Sequence, residues 1–315
     1  MKRRILQFLR EAPDVISGAE MSARLGVSRV TIWKHVRSLQ ETGYAITATP
    51  KGYRLAEGTD LLHPWEFPGR EDRLHCFDEV ASTMAIARDL AREGCPAFTV
   101  VTADRQTGGR GRLGRAWHSP PGGLYFTVVL RPDLPAVFSS LTTFAAGLTW
   151  VRLLREAYGV HAGLKWPNDL LVQERKLSGM LSEMEARGEM LTFVNIGIGL
   201  NVNNAPGRET PGAVALAELA GRPLSRRDLL AGFLDRFERC MADPQGLADI
   251  IAQWKPFAVT LNRPVKIVTT RETVTGIARD VDETGALLLE RPDGTLQRIL
   301  HGDCFHQAVE SGIGH

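Results

Sequence analysis

The chain has 315 residues, 43% of them hydrophobic and 23% charged, with a formal net charge of +2. That composition supports two or three cored domains and excludes a disordered or collagen-like chain. No run of about 18 apolar residues marks a membrane span. The start, Met1-Lys2-Arg3-Arg4-Ile5-Leu6-Gln7, turns polar too soon for a secretory signal. The four cysteines, Cys76, Cys95, Cys240 and Cys304, form no Cys-x-x-Cys pair. The sequence therefore predicts no metal site, no disulfide framework and a reducing, cytoplasmic location.

Charge is unevenly distributed. Residues 1–54 carry ten Lys/Arg against four Asp/Glu, or +6, so the remainder carries −4. A basic end on a mildly acidic body points to a polyanionic partner.

That end also has a helical pattern. Ile5, Phe8 and Leu9 share a face. Ser17-Gly18-Ala19-Glu20 is a capping box before Met21 and Leu25. Gly26 permits a tight turn, and Ser28 caps a helix with the apolar stripe Ile32, Val36 and Leu39. Arg29, Thr31, Lys34 and Arg37 lie off that stripe and are the candidate DNA contacts. Tyr44–Leu55 then alternates like a hairpin, with Pro50-Lys51-Gly52-Tyr53 as its tip. Two helices joined by a glycine turn, with a basic outer face and a wing, suit a major groove. A three-helix packing unit with a solvated basic face is the alternative.

Ala81–Arg92 reads as an amphipathic helix. The densest chemical signal follows: Gly108-Gly109-Arg110-Gly111-Arg112-Leu113-Gly114-Arg115-Ala116-Trp117. It contains G-x-G-x-x-G, but Trp117-His118-Ser119-Pro120-Pro121 cannot begin the helix that a dinucleotide fold requires. Glycines admit backbone N–H groups close to an anion, and three arginines add forked permanent cations. Such a loop would order over a bound phosphate or carboxylate; a solvated basic loop is the other reading.

Ser140–Glu156 reads as a second amphipathic helix, with Leu141, Phe144, Ala145, Leu148 and Val151 on one face. Leu164-Lys165-Trp166-Pro167-Asn168-Asp169 and Lys176-Leu177-Ser178-Gly179 place two lysines beside short strands. They could neutralise a carboxylate and a phosphate, or could be ordinary surface lysines. Thr192–Leu200 reads as a buried strand whose Gly197 and Gly199 leave room for a ligand. Ser225 caps a further helix. Short β-like runs at Val265–Val268, Val274–Ala278, Ala286–Glu290 and Leu296–Leu300 fit a small β-barrel. No Ser/His/Asp triad or metal cluster is evident. Abundant cations without a nucleophile suit nucleotidyl transfer, in which a carboxylate attacks the α-phosphate of ATP.

Together these motifs resemble the bifunctional biotin–protein ligase and biotin-operon repressor family, over essentially the whole chain. The resemblance rests on the helix-turn-helix, Ser82-Thr83, Gln106 to Arg112, Trp117, Lys165-Trp166-Pro167-Asn168-Asp169, Lys176 and the Gly197/Gly199 strand end. It implies an α+β fold in three parts. These are a winged helix-turn-helix over 1–60, a biotin/lipoate ligase-like mixed β-sheet with helices over 61–262, and a small SH3-like β-barrel over 263–315. It also implies a reaction in which biotin and ATP, with Mg²⁺, form biotinyl-5′-AMP. The lysine of a biotin carboxyl carrier protein, an acetyl-CoA carboxylase subunit or similar, then takes the biotinyl group.

By position, Ser82, Thr83, Met84, Gln106, Gly109, Arg110, Gly111, Arg112, Lys176 and Gly179 would hold biotin. Arg110, Arg112, Arg115, Trp117, Asn168 and Asp169 would hold ATP or the adenylate. Lys165, Lys176 and Arg112 would be catalytic. Ligand-promoted homodimerisation and operator binding complete the expectation. The family usually has Asn where Met84 stands, Pro-Gly-Lys-Gly where Thr49-Pro50-Lys51-Gly52 stands, and serine or valine within Gly302-Asp303-Cys304-Phe305. Two other readings are a lipoate or other carboxylate ligase and a ligand-sensing regulator without catalysis. Gln106 and the Arg-Gly-Arg loop speak against the first, and Lys165 and Lys176 against the second.

Overall fold

The computed structural model describes residues 1–56, 58–208 and 210–307, so residues 308–315 of the expected C-terminal segment lie outside it. The chain divides into two compact units, Met1–Leu74 with Ser225–Asp228, and His75–Leu224 with Leu229–His315.

In the first unit, α1 (Lys2–Glu11), α2 (Gly18–Leu25) and α3 (Arg29–Glu41) precede a hairpin of β1 (Ile46–Thr49) and β2 (Gly52–Leu55). Both expected caps form. The Ser17 hydroxyl accepts from the Glu20 N–H at 3.0 Å, and Ser28 accepts from Thr31 at 3.1 Å. Gly26, at φ 67°, closes α2 in the left-handed region that glycine tolerates. Leu6, Leu9, Met21, Ile32, Val36 and Leu39 meet in one core. The wing turns through Pro50-Lys51, where the Thr49 hydroxyl accepts from the Lys51 and Gly52 N–H groups. A Cβ on Gly52 would stand 2.2 Å from the Ile16 carbonyl oxygen, so only glycine lets Tyr53 pair with Ile16.

Glu66 is the charge centre of this unit, its side chain only 3% exposed. It accepts both Arg10 guanidinium nitrogens, at 2.8 and 2.7 Å, and the Tyr44 hydroxyl at 2.5 Å. Burial opposes the Glu66 charge, but Arg10 and Tyr44 outweigh it and hold the carboxyl below its ordinary value.

In the second unit, β3 (Leu74–Val80), β4 (Thr99–Gln106), β5 (Leu124–Leu130), β6 (Gly163–Lys165), β7 (Asp169–Val172), β8 (Arg175–Arg187) and β9 (Met190–Leu200) form a sheet ordered β3-β4-β5-β9-β8-β7-β6. The five ladders of described register are antiparallel. Strands β3 and β4 are joined through α4 (Thr83–Arg92), the kind of connection a parallel pair needs. Ala87 and Ala91 of α4 pack on Val101, Val129 and Phe193, covering one face. The other face carries α5 (Ser140–Tyr158). Expected to bury one stripe, α5 is buried almost all round, from Leu141 to Val151 and at Leu153 and Leu154. The sheet covers one side of α5, while α7 (Arg226–Ala242) and α9 (Ile250–Trp254) add aromatic rings from elsewhere. Trp150 stacks on Phe233 at 4.6 Å, and Phe144 meets Trp254 at 5.0 Å. This is the one described helix long and apolar enough to cross a membrane, and its burial marks it as a core helix.

The tail forms β10 (Pro264–Val268), β11 (Thr273–Val281), β12 (Leu287–Glu290), β13 (Leu296–Ile299) and β14 (Asp303–His306), ordered β13-β12-β11-β10-β14. Strands β13 and β14 are edges, so the small β-barrel expected is here a five-stranded antiparallel sheet that does not close. The sequence reading missed β14, whose four residues are too few to show alternation.

Because the folded Glu66 pKa is depressed, its stabilisation is present above the unfolded carboxylate value of about 4.3 and is lost as pH falls through the folded value. Glu66→Gln should cost about 3 kcal/mol at pH 7, since it breaks a buried pair. In urea melts, the gap from wild type should close toward pH 3.

Candidate functional site

The register of the large sheet builds the floor of a cavity. Lys165 pairs with Asp169, Asp169 with Gly179, Gly179 with Gly199 and Gly199 with Tyr125. Directly paired residues point to the same face. A lysine, an acid and two bare glycines therefore form one row across the sheet. The Trp117 ring lies over the glycines: a Cβ on Gly199 would come within 2.3 Å of it, and one on Gly179 within 2.9 Å. Gly197 likewise makes room for the Met84 methyl, 2.8 Å from the position its Cβ would take. The space expected for a ligand above Gly197 and Gly199 thus seats two of the protein's own side chains.

The cavity above this floor has a volume of about 710 Å³. Ser82, Thr83, Met84, Gln106, Arg110, Gly111, Arg112, Arg115, Trp117, Lys165, Asn168, Asp169, Lys176 and Gly179 all line it. Gly109 does not. It lines an adjoining depression, where a Cβ would stand 2.5 Å from the Trp117 carbonyl oxygen, so it serves close approach within the loop.

One end of the cavity is neutral and polar. The Gln106 carboxamide oxygen accepts from the Thr83 N–H at 2.8 Å, and its Nε2 donates to Ser119 Oγ at 3.1 Å. Thr83 and Thr127 share a hydrogen bond at 2.9 Å. Ser82 precedes α4 without capping it, which leaves its hydroxyl to the cavity.

The other end is charged. Lys176 Nζ lies 2.7 Å from Asp169 Oδ1 and 5.4 Å from the centre of the Trp117 ring. The glycine–arginine segment is a small hairpin with internal bonds, Gly111 N–H to the Arg115 carbonyl at 2.7 Å and Trp117 N–H to that of Gly109 at 2.9 Å. Leu113 (φ 53°) and Gly114 (φ 74°) make its tip. Arg112 reaches the Asn168 carboxamide oxygen at 3.4 Å. Burial lowers the Arg112 pKa from its usual value, against the opposing charges of Asp303 and Asp169. Arg115 pairs with Asp303, which is 12% exposed. The tail sheet also sends Phe305 to the wall, with Lys165 Nζ 5.9 Å from its ring.

Asp303, Phe305, Asn201 and Asn204 also line the cavity, although the sequence does not mark them as ligand-holding residues. The two asparagines fold the chain after β9, where the Asn204 amide donates to Asn201 Oδ1 at 3.0 Å. The run Asn201-Val202-Asn203-Asn204 was the available signal. Burial pushes the Cys304 and Cys76 thiols up to about 12, so neither is a thiolate nucleophile. Among the described residues no group of three His, Cys, Asp or Glu stands together.

In the first unit, Arg29, Lys34 and Arg37 are exposed on α3, with Val30 and Trp33 beside them. Arg37 is drawn to Glu41 at 3.3 Å and to the Trp33 ring at 5.5 Å. Thr31 is half-buried, its hydroxyl 2.9 Å from that of Ser28, so part of its bonding capacity goes to the helix cap.

Asp303→Ala removes the partner that holds the Arg115 end of the hairpin. Limited trypsin digestion should cleave within residues 110–115 several-fold faster, while the melting temperature stays near wild type.

Three family descriptions match the chain: an HTH domain over residues 2–54, the biotin/lipoate A/B protein ligase family over 76–201, and the biotin protein ligase C terminal domain over 260–307. The bifunctional ligase/repressor BirA of Bacillus subtilis is 34% identical over 94% of this chain and 95% of its own length. A biotin–[acetyl-CoA-carboxylase] ligase of Paracoccus denitrificans is 36% identical over 68% of this chain and 92% of its own. The structure of the Aquifex aeolicus biotin protein ligase with biotin and ATP superposes with a TM-score of 0.62, at 30% identity, over 75% of this chain and 99% of that one. The order of its parts, the cavity of the second unit and these likenesses agree: the chain belongs to the bifunctional biotin–protein ligase/repressor family.

Proposed function

We propose that this protein is an ATP-dependent biotin–protein ligase that also represses transcription in response to biotin. The ligase reading rests on one observation: an uncharged amide–hydroxyl cluster and a cluster of cations stand at two ends of one cavity. Biotin has the same polarity, with a neutral ureido ring at one end and a carboxylate at the other. Ser82, Thr83 and Gln106 would receive the ring, and Met84, Gly179 and the Trp117 face the hydrocarbon chain. Arg110, Gly111, Arg112 and Lys176 would meet the carboxylate, and Gly109 would shape the loop that carries them.

In the first step a biotin carboxylate oxygen bonds to the α-phosphorus of ATP, and pyrophosphate leaves with the bonding pair. Arg112 and Lys176 offset the charge that grows on phosphorus-bound oxygen. In the second step a neutral lysine amine of the carrier attacks the acyl carbon. AMP departs, and the amine's proton passes to solvent or a nearby base. Lys165, Asn168 and Asp169 would orient phosphate or the incoming amine, and Arg115 and Trp117 would flank the nucleotide. Mg²⁺ would arrive with the triphosphate, and the Asn168 and Asp169 oxygens suit it as hard ligands.

The Paracoccus relative's name supports a carboxylase biotin carrier as acceptor. The basic face of α3 supports operator DNA as a second partner, with Arg29, Thr31, Lys34 and Arg37 as contacts and phosphate contacts prevailing. A palindromic operator would call for a homodimer, promoted by the adenylate. A protein that used ATP, a biotin carrier and operator DNA would work in the cytoplasm. The functional division is taken as 1–60, 61–262 and 263–315. In the last segment the irregularity between Ala278 and Asp280 of β11 would supply the bend of an SH3-like curl.

Intact mass of an apo biotin carboxyl carrier domain, incubated with enzyme, biotin, ATP and Mg²⁺, should rise by one biotinyl group. The gain should vanish without ATP and fall at least about 100-fold in rate for Lys176→Ala, the loss expected for one charge-stabilising group. Modification of a lipoyl domain instead would refute the assignment. For the DNA function, the slope of log affinity against log salt should become shallower by about 1 in Lys34→Ala if Lys34 meets a phosphate.

A further inference from the structure

Three polar side chains behind the cavity wall form a connected line that the reaction outlined above does not use. The Trp166 backbone N–H donates to Thr260 Oγ1 at 3.0 Å. Thr260 Oγ1 lies 3.2 Å from His306 Nε2, and His306 Nδ1 lies 3.0 Å from Glu174 Oε2. The other Glu174 oxygen, Oε1, accepts from Arg263 at 2.6 Å.

The order hydroxyl, imidazole, carboxylate resembles a nucleophile with its base, but it cannot act as one. Thr260 is fully buried and its oxygen is already engaged by a backbone N–H. Burial lowers the His306 pKa against its hydrogen bond to Glu174, which favours the neutral ring. The directions then follow: Trp166 N–H to Thr260, Thr260 O–H to His306 Nε2, and His306 Nδ1–H to ionised Glu174. Every donor and acceptor along the line is matched, from buried Thr260 through His306 to the exposed Glu174, so its inner part can hold one geometry.

What the line joins gives it a purpose. At one end is the backbone of Trp166, next to Lys165 and two residues before Asn168. At the other is Glu174, at the tip of the hairpin whose strands β7 and β8 carry Asp169 and Lys176. That tip is conformationally costly. Gln173 and Glu174 have φ of 51° and 62°, a pair of left-handed residues where glycine or asparagine is favoured. An unfavourable backbone retained with a long acidic side chain points to a use for that side chain. Between the two ends stands His306 of β14, in the tail sheet. The turn between β11 and β12 of that sheet also accepts the Trp166 indole N–H, at the Gly285 carbonyl, at 3.0 Å.

We propose that Glu174, His306 and Thr260 are positioning residues that set the spacing between the Lys165–Asn168 segment and the Asp169–Lys176 hairpin. Through His306, which does not line the cavity, the tail sheet thereby contributes to adenylation. This rests on the ligase reading above, but it can be judged separately.

Two variants of the full-length enzyme separate positioning from mere support. Thr260→Val keeps shape and removes the hydroxyl, leaving the buried Trp166 N–H unpaired. Glu174→Gly removes the carboxylate while relieving the left-handed tip, so it should melt no lower than wild type. Hydrogen exchange, measured without substrates, should be about 10-fold faster at the Trp166 amide in Thr260→Val and at least about 3-fold faster in Glu174→Gly. In biotin- and ATP-dependent pyrophosphate release, both should lower kcat about 10-fold with the biotin KM within about 2-fold, the pattern of displaced reacting groups. Thr260→Ser should restore kcat to within about 2-fold of wild type. Unchanged Trp166 exchange in Glu174→Gly, or a Thr260→Val enzyme that is less stable but has wild-type kcat, would overturn the relay. A wild-type enzyme that releases no pyrophosphate would sink the ligase reading instead, and the exchange data would still decide the relay.

Discussion

A permanent cation held away from bulk water needs a fixed partner nearby, or its desolvation opposes folding. In the cavity that constraint bears most on Arg112 and Lys176, which are half-buried, while Arg115 is exposed, and each of the three has a partner. Lys176 has Asp169, Arg115 has Asp303, and Arg112 stands between Asn168 and the fields of Asp303 and Asp169. The acids come from a strand of the large sheet and from the edge of the tail sheet. Charge balance therefore links the placement of the glycine–arginine hairpin to two separate sheets. The same acids keep cations that would repel one another at fixed positions, available to an anion that binds more strongly than they do.

The second constraint is backbone access. Gly179 and Gly199 are paired neighbours on adjacent strands, and the missing side chains let the indole of Trp117 approach the sheet backbone closely. Gly109 lets the two arms of the loop approach, and Gly52 does the same where the wing meets Ile16. In each case a Cβ would stand within 3 Å of another atom, closer than packed atoms sit. These glycines are fixed by contact.

The polar end of the cavity works by saturation. With Gln106 bonded to Thr83 on one side and Ser119 on the other, its amide has one orientation. A ligand meeting it finds donors and acceptors already aimed, so less ordering remains to be done on binding. Met84 lies with its apolar end over Gly197. That makes the wall beside this cluster apolar, where another amide would have competed for the same partners.

Local chemistry alone determined much of this protein. The caps at Ser17 and Ser28, the stripe Ile32-Val36-Leu39, the glycine–arginine hairpin and the two lysine motifs depend on residues near one another in the chain, so their patterns survive in one dimension. Specific motifs also led to the family and to most of the cavity lining. What the tertiary structure decided depends on distant residues brought together. The sequence could not show that α5 is buried all round, because its second covering comes from Phe233 and Trp254, about a hundred residues on. Nor could it show that Gly199 seats Trp117, or that Asp303 answers Arg115. The short strand β14 had no pattern of its own and was recognisable only once β10 lay beside it. Periodicity reports which face a segment hides; it does not report what comes to cover it, because that partner is chosen by packing and charge across the whole fold.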